Sequence, residues 1–242
     1  MCGHGNVLRS ARLVEGGVLP SAAAAIAREE AGPARRHADR SRGAPGAATP
    51  RDLASAAERL DAESLRHTLD DAFAAAGVES VWEQLCVPAL TSLGRAVSPP
   101  GRGIGAVLSL SWAITTALHR AVASSPDPSR PERVLLACAD GEQHSLALEA
   151  LHAALTARGA DSRMLGPSVP TAVVAAAARS ARPAAIVVWS QSARTARVGT
   201  LRELHDPAWR PVAAGPGWDG RRLPAGVHRV VSLREAADLL VP

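Results

Sequence analysis

The sequence contains no lysine and no tyrosine, only one phenylalanine, and an abundance of alanine. All 27 of its Lys and Arg residues are therefore arginine, and the formal net charge is +4. We attribute this composition to a GC-rich codon bias rather than to a binding partner. A net charge this small, scattered along the chain, does not by itself indicate a DNA-binding surface.

Cysteine is also scarce. The three cysteines, Cys2, Cys86 and Cys138, lie far apart and show no metal-binding spacing. Because Cys86 and Cys138 fall in apolar segments, we predict that both are buried and behave as small hydrophobic residues. This pattern leads us to expect a reducing, cytoplasmic setting.

Two further absences limit the possible functions. No apolar run approaches the length of a membrane span, and no signal-peptide pattern opens the sequence, so we expect no membrane association. The sequence also has no P-loop, Ser-His-Asp or metal–thiolate arrangement. We therefore do not predict independent catalysis.

A chain of 242 residues can hold one large domain or two ordinary ones. Two stretches have the composition of linkers: residues 32–50, rich in Arg, Gly, Pro, Ala and Ser, and the Pro-rich residues 125–131. The sequence thus predicts four regions: a short N-terminal region (1–30), a flexible linker (31–51), a helical region (52–124) and an α/β domain (131–242).

The helical region has apolar residues at helical spacing in four segments, namely 52–61, 64–76, a segment opening at Trp82, and 104–122. Gly77 should end the second helix, and Pro88 should bend or restart the third. Four helices with short connections predict an antiparallel four-helix bundle.

Beyond residue 131, predicted strands and helices alternate. The strands are expected at 133–139, 162–165, 185–190, 211–214 and 228–231, and the helices from Ser145, at 171–180 and at 233–240. This alternation predicts a parallel sheet that is covered on both faces. Five strands fit the flavodoxin-like, Rossmann-type order.

Candidate chemistry lies just after the first predicted strand. Residues 134–140 form a short apolar run, Gly141 breaks it, and a helical pattern begins at Ser145. Glu142 and His144 therefore occupy a turn at the carboxyl end of a strand, where ligands bind in open α/β sheets. A histidine at a strand end is often only a cap or a satisfied polar residue, so its position alone does not decide its role.

The residues Glu142-x-His144-x-x-Ala147 resemble the D-x-H-x-x-G motif of cobalamin (vitamin B12)-binding domains. Their form is similar to the E-x-H-x-x-G version in MerR-type, light-responsive B12-dependent transcriptional regulators. In that family the histidine replaces the cofactor's own base as lower axial ligand of cobalt. The resemblance implies that His144 binds cobalt through a neutral imidazole, with Glu142 fixing its tautomer.

Three later loops extend the resemblance: residues 165–170 resemble "LGPDVP", residues 190–192 resemble S-x-L, and residues 214–218 resemble "GGPGW". It implies that Ser190 meets the buried benzimidazole tail and that residues 215–217 line its channel, where glycine admits the nucleotide close to the backbone. Alanine at 147 and 214 and serine at 192 depart from the pattern, which predicts weaker affinity or a different tail position. The predicted cofactor-contacting residues are Glu142, His144, Ala147, Gly166, Ser190, Ser192, Gly215 and Gly217.

Residues 77–94 are similar to the third bundle helix of the same regulators. Photosensory members follow it with a Trp and, on the next helix, a Glu-His pair that covers the upper face of adenosylcobalamin. Here residues 95–97 stand in place of the Trp, and Val107-Leu108 or Ser109-Leu110 in place of Glu-His. We predict an apolar upper face and interpret Trp112 as a core residue rather than a substitute cap. The surface in question comprises Val97, Val107, Leu108, Ser109, Leu110 and Trp112.

Residues 9–26 resemble the closing helices of a MerR-type DNA-binding domain, and a non-specific Ala-rich helix fits them equally well. The winged helix-turn-helix expected before them is missing. We therefore predict no specific DNA binding by this chain alone. Its partner would be a further copy of itself or a full-length MerR-type paralogue.

Three functions remain open. The leading hypothesis is a cobalamin-binding sensory or regulatory protein that modulates transcription through a partner. The second is a cofactor-free interaction module of the same fold; loss of the Trp and Glu-His cap favours it, and retention of Glu142, His144 and Ser190 argues against it. The third is the corrinoid carrier of a methyltransferase system, which shares the bundle-plus-sheet layout but not the MerR-like start.

Overall fold

The structure, a computed structural model, describes residues 48–98, 101, 103–130 and 133–241. The predictions for residues 1–30, for Cys2 and for nearly all of the linker 31–51 lie outside these residues. The chain divides into two compact units between Ala117 and Leu118, within a helix and not at residues 125–131. Each unit is described by itself, and the predicted domain limits stay predictions.

Among the described residues of the first unit, the first helix is α1 (Pro50–Glu58), which begins two residues ahead of its predicted start. Thr49 caps it reciprocally: its hydroxyl accepts from the amide of Asp52, and the Asp52 carboxylate accepts from the amide of Thr49. Helix α2 (Ala62–Val81) follows, and it is interrupted at Gly77, which has φ 74° and ψ 168°. The predicted break at Gly77 is confirmed.

The third predicted helix begins earlier than Trp82, because the chain is helical again directly after Gly77. A π-helical turn (Trp82–Cys86) leads into α3 (Val87–Ala96). Pro88 has no amide hydrogen to donate to the preceding turn, and a widened turn accommodates such a residue within a helix. Helix α4 (Ile104–Ala123) ends one residue later than predicted.

These four helices confirm the predicted helical region. Its interior is built from aliphatic side chains, and the larger buried ones include Leu53, Leu65, Leu69, Leu93, Leu110 and Ile114. Cys86 is buried as well and unpaired, as predicted, and burial raises the pKa of its thiol to about 12.

Within the described residues, α4 is long and apolar enough to cross a membrane by length and composition alone. The expectation that no segment approaches such a length was therefore too strict. Core helices of soluble proteins meet the same criterion, and about a third of this segment is buried, so the observation is weak evidence in either direction.

The second unit contains a five-stranded parallel sheet with the order β2-β1-β3-β4-β5. This confirms the predicted flavodoxin-like order. The strands are β1 (Arg133–Cys138), β2 (Asp161–Gly166), β3 (Ala185–Trp189), β4 (Arg210–Ala214) and β5 (His228–Val230). The helices are α5 (Leu146–Ala157), α6 (Thr171–Ala181), α7 (Val198–Glu203) and α8 (Leu233–Leu240). Helix α7 and a 3₁₀ turn (Pro216–Trp218) were not predicted.

Alternate residues of each strand face opposite sides of this sheet. On one side, Leu135, Ile186 and Val188 pack in a cluster with side chains of α6 and α7. Cys138, Trp189 and Ala214, which are partners in the strand register, lie on the other side. From β1 the chain passes to β2 on one side of it, and then crosses to β3 on its other side. The strand order therefore reverses between β1 and β3, which is the topological switch point.

Candidate functional site

The turn after β1 is shaped by Gly141, whose φ of 78° is a conformation that other residues rarely adopt. The amide of Glu142 donates to the carbonyl of Ala139 at 2.8 Å and closes the turn. The chain thereby folds the Glu142 side chain inward, and this carboxylate is only 2% exposed. A buried carboxylate requires hydrogen-bond donors around it.

Glu142 obtains those donors from two segments. Its Oε1 accepts from the backbone amide of His144 at 3.0 Å and meets Nδ1 of the same residue at 2.5 Å. Its Oε2 accepts from the amides of Gln191 (2.9 Å) and Ser192 (3.2 Å) and from the hydroxyl of Thr195 (2.7 Å). One carboxylate therefore ties the turn after β1 to the loop after β3, across the switch point.

These contacts also fix the charge of Glu142. Burial favours the neutral acid, but the hydrogen bonds from His144 and Thr195, together with the charge of the imidazole, outweigh it. They lower the pKa of Glu142 to about 2. The group is therefore an anion at neutral pH and a strong acceptor for an imidazole N–H.

The His144 side chain is 19% exposed. Because Nδ1 faces Glu142, the proton on that nitrogen is held by the carboxylate, and Nε2 is the ring nitrogen that can bind a ligand. The thiol of Cys138 lies 3.8 Å from the carbonyl oxygen of His144. Burial, followed by the charges of Glu142 and Glu149, raises the pKa of this thiol to about 12, so it is not a thiolate ligand.

Ser190 is fully buried and belongs to the same network. Its hydroxyl lies 2.7 Å from that of Thr195 and donates to the carbonyl of Ser192 at 3.0 Å. A Cβ on Gly217 would lie 2.6 Å from both Ser190 Oγ and the carbonyl oxygen of Ser192. The site predicted from four separate stretches of sequence is thus brought together at one edge of the sheet.

The two glycines predicted to line the tail channel have a second reason to be glycine. Gly215 has φ 99°, and a Cβ there would lie 2.5 Å from the carbonyl oxygen of Ser190. At both 215 and 217, then, it is the chain's own backbone and side chains that a methyl group would meet. Their predicted contact with a nucleotide tail stays a prediction, whereas their role in packing these loops is explained by the structure.

Gly215→Ala should lower the free energy of unfolding by about 2–4 kcal/mol, because it combines a strained φ with overpacking. Gly199→Ala is the matched control: Gly199 lies in α7, and a Cβ there would meet no atom within 4 Å. That variant should be neutral or gain up to about 1 kcal/mol from helix propensity. Urea unfolding of both variants measures the difference, and equal stability would contradict the packing explanation.

The loop after β2 joins the same edge. The Ser168 hydroxyl accepts from the amide of Gly141 at 3.1 Å, and its own amide donates to the carbonyl of Glu142 at 2.7 Å. Gly166, two residues earlier, has φ 95° and open space where a side chain would be. Ala147 lies in the first turn of α5 and is partly buried, and Ala214 ends β4 and is buried.

Two residues that support Glu142 were missed from the sequence. Thr195 and Ser168 are separated from the Glu142 turn by long stretches of chain; nothing in the local pattern marks Thr195, and the resemblance of residues 165–170 did not single out Ser168. The available signal was indirect: a buried carboxylate needs several donors, and hydroxyl residues in neighbouring strand-end loops are the natural sources.

The residues predicted for the upper face divide into two groups. Val97, Val107 and Leu110 are buried, whereas Leu108 is 50% exposed and Trp112 is 74% exposed. The interpretation of Trp112 as a core residue is therefore wrong, because successive apolar residues of α4 face both inward and outward. Leu108, Trp112 and the partly buried Ser109 are the accessible members of this set.

The described residues contain no group of three or more His, Cys, Asp or Glu side chains that could hold a bare metal ion. A cobalt ion held by a corrin ring needs only one axial nitrogen from the protein. A single imidazole, part-exposed and anchored through Nδ1 by a buried carboxylate, is a donor set that fits this requirement.

No protein-family model matches the sequence, and no curated protein does. Among solved structures, the monomethylamine corrinoid protein of Methanosarcina barkeri superposes with a TM-score of 0.65 at 13% identity, over 78% of this chain and 95% of that one. The methanol:cobalamin methyltransferase complex of the same organism gives a TM-score of 0.39 at 16% identity, over 78% and 77%. A cobalamin-binding protein from Desulfitobacterium hafniense DCB-2 gives 0.39 at 15%, over 78% and 96%.

The first of these likenesses is close enough to compare folds, and the other two carry no argument. It shows that this chain shares a Rossmann-like fold with that corrinoid protein: a helical region followed by a five-stranded parallel sheet with flanking helices. None of the three is a MerR-type regulator, so that resemblance stays a prediction from the sequence.

Proposed function

We propose that this protein binds a cobalamin and that Nε2 of His144 is the lower axial ligand of its cobalt. The observation that supports this most directly is the pair formed by His144 Nδ1 and the Glu142 carboxylate, 2.5 Å apart, at the switch point of the sheet. The likeness of the fold to a corrinoid protein supports the same ligand.

Each residue then has a definite task. Glu142 keeps the proton on Nδ1 and aims Nε2 away from the protein. Thr195 and the amides of Gln191 and Ser192 hold Glu142 in its ionised form. When bound, the cobalt would supply an upper coordination position that holds an exchangeable ligand.

Absorption spectroscopy tests the proposal. The purified protein, incubated with hydroxocobalamin and passed through a desalting column, should retain the cofactor with an imidazole-ligated cobalt spectrum. Loss of all corrinoid on the column would instead support the cofactor-free interaction module.

For the biological role we propose a sensory or regulatory protein that acts through a partner rather than by reading DNA itself. The support is the MerR-type resemblance of residues 9–26, 77–94 and 142–147. A full-length MerR-type paralogue is the partner through which such a protein would contact DNA.

The fold favours a second candidate, the corrinoid carrier of a methyltransferase system, because the corrinoid protein of Methanosarcina barkeri has this fold over most of its length. Methylation of the reconstituted protein by a corrinoid methyltransferase, followed by release of the methyl group to an acceptor, would favour the carrier. A corrinoid-dependent change in DNA binding by a co-purified partner would favour the regulator.

The upper face leads to a prediction about cofactor choice. The residues predicted for this face are apolar or serine, and they offer the adenosyl group no carboxylate or cation; they are Val97, Val107, Leu108, Ser109 and Leu110. Loss of one or two such hydrogen bonds is worth about 1–3 kcal/mol, which removes roughly a tenfold or greater preference. We expect similar affinities for adenosylcobalamin and hydroxocobalamin, and no light-driven change in oligomeric state.

Size-exclusion chromatography of the adenosylcobalamin complex before and after illumination measures the second part of this expectation. A clear light-dependent shift would contradict it and would make the exposed Trp112 the first residue to replace.

A further inference from the structure

Trp189, the last residue of β3, differs from two other tryptophans of its unit. Nε1 of Trp209 donates to the carbonyl of Leu204 at 2.8 Å, and Nε1 of Trp218 donates to that of Val188 at 3.2 Å. Nε1 of Trp189 is buried and makes no hydrogen bond with any described residue. A buried indole N–H without a partner has lost its hydrogen bond to water and gained none in the protein, which lowers the stability of the fold.

The orientation of the ring indicates where an acceptor could come from. Cε3 and Cζ3 of Trp189 lie against Gly215, 2.9 and 3.0 Å from where a Cβ would be. Nε1 is on the opposite edge of the indole from Cε3, so it lies on the side of the ring away from Gly215. The neighbour of β3 on the other side is β1.

On that side lies the segment that carries His144. Cys138 of β1 is the register partner of Trp189, so both side chains are on the same face of the sheet. The Cys138 thiol is 3.8 Å from the carbonyl oxygen of His144. The unpartnered donor is therefore one strand away from the proposed axial ligand, on the same face.

We infer that Trp189 donates its indole hydrogen bond to the nucleotide portion of the corrinoid that His144 binds. This inference rests on the proposed function. When an imidazole from the protein takes the lower position of cobalt, the cofactor's own base is displaced, and its nucleotide lies on the same side of the ring as that imidazole. The nucleotide carries phosphate, sugar and base acceptors, and an indole N–H can only donate.

Trp189 is therefore a specificity residue, one that separates a complete cobalamin from cobinamide, which lacks the nucleotide. A buried donor with no partner in the free protein gives its full hydrogen-bond energy to a ligand that supplies an acceptor. The acceptors of the corrin-ring amides are common to both molecules, so a comparison of the two isolates the contribution of the nucleotide.

The test uses two tryptophan-to-phenylalanine variants of the full chain, titrated with hydroxocobalamin and with diaquocobinamide. W189F should lower the affinity for hydroxocobalamin about tenfold and leave the affinity for cobinamide unchanged, since it removes one buried hydrogen bond to the ligand. W209F is the control: its N–H already has an acceptor in the protein, so it should bind both ligands as the wild type does. In the ligand-free state W209F should lose more stability than W189F.

A measurement on the unaltered chain covers the case in which W189F does not fold. Among the indole N–H resonances of the five tryptophans, that of Trp189 should shift and gain protection from exchange on addition of hydroxocobalamin, but not of cobinamide. Equal weakening of both ligands in W189F, or unchanged affinity for hydroxocobalamin, would overturn the assignment of Trp189 and leave the proposed function intact. Failure of the wild-type chain to bind either corrinoid would overturn both.

Discussion

His144→Ala should weaken the binding of hydroxocobalamin at least about a hundredfold, because even residues that only orient a metal ligand are typically worth 10- to 100-fold in affinity. Any cofactor that remains bound should show a water-ligated or base-off spectrum in place of an imidazole-ligated one. Titration followed by absorbance gives the affinity and the ligation state together.

His228→Ala is the matched control, since His228 is an exposed histidine at the start of β5 in the same unit. Its affinity and spectrum should equal those of the wild type. If His144→Ala retains both, the cobalt of the bound cofactor is not coordinated by His144, and the assignment of the lower ligand is wrong.

Glu142→Gln should be the most destabilising single-atom change in the site. The carboxylate accepts five hydrogen bonds, and an amide group would turn an N–H towards some of those donors. We expect a loss of about 3 kcal/mol at neutral pH, the range for disrupting a buried, hydrogen-bonded charge. Cofactor affinity should fall about 10- to 100-fold as well, because the imidazole loses its anchor.

The pH dependence of stability provides an independent check. Glu142 has its pKa lowered from 4.5 to about 2 in the folded protein, so the unfolded chain binds its proton at higher pH than the folded one. Its contribution of about 3 kcal/mol is fully present above pH 4.5 and is lost as the pH falls towards 2.

Urea unfolding between pH 7 and pH 2 should therefore show the wild type and Glu142→Gln converging in acid. Glu203→Gln, a change at an exposed glutamate of α7, should follow the wild type throughout. A constant difference between wild type and Glu142→Gln across this range would mean that folding does not shift the pKa of Glu142.

The three central strands β1, β3 and β4 were predictable because they are short, largely apolar runs, and such runs are typical of strands buried on both faces. The Glu142–His144 turn was predictable for the same reason, since the run before it fixes where the strand ends. The contacts of Glu142 with Thr195 and Ser168 were not, because they join segments far apart in the chain and depend on strand order. Trp112 was misplaced because hydrophobicity alone does not say which side of α4 faces the interior.

The explanation of the glycines shows a related limit. From the sequence, Gly215 and Gly217 were interpreted as making room for a nucleotide tail because residues 214–218 resemble the family's "GGPGW" loop, although an ordinary tight loop was the alternative. The structure supplies one: the ring of Trp189 lies against Gly215, and Ser190 lies against Gly217. At these two positions, the space that was assigned to a nucleotide from the sequence is occupied on one side by Trp189 and Ser190.

Through the two oxygens of Glu142, the His144 imidazole and residues 191–195 are thermodynamically interdependent. A metal that binds the His144 ring changes the position and charge of the Glu142 carboxylate. It thereby changes the three hydrogen bonds that Oε2 accepts. By thermodynamic reciprocity, a partner protein bound to residues 191–195 and a metal bound to Nε2 of His144 change each other's affinity by the same factor. Ala193 and Arg194 are exposed in the middle of that segment. A partner that contacts them would therefore respond to whether the recessed His144 has a metal bound.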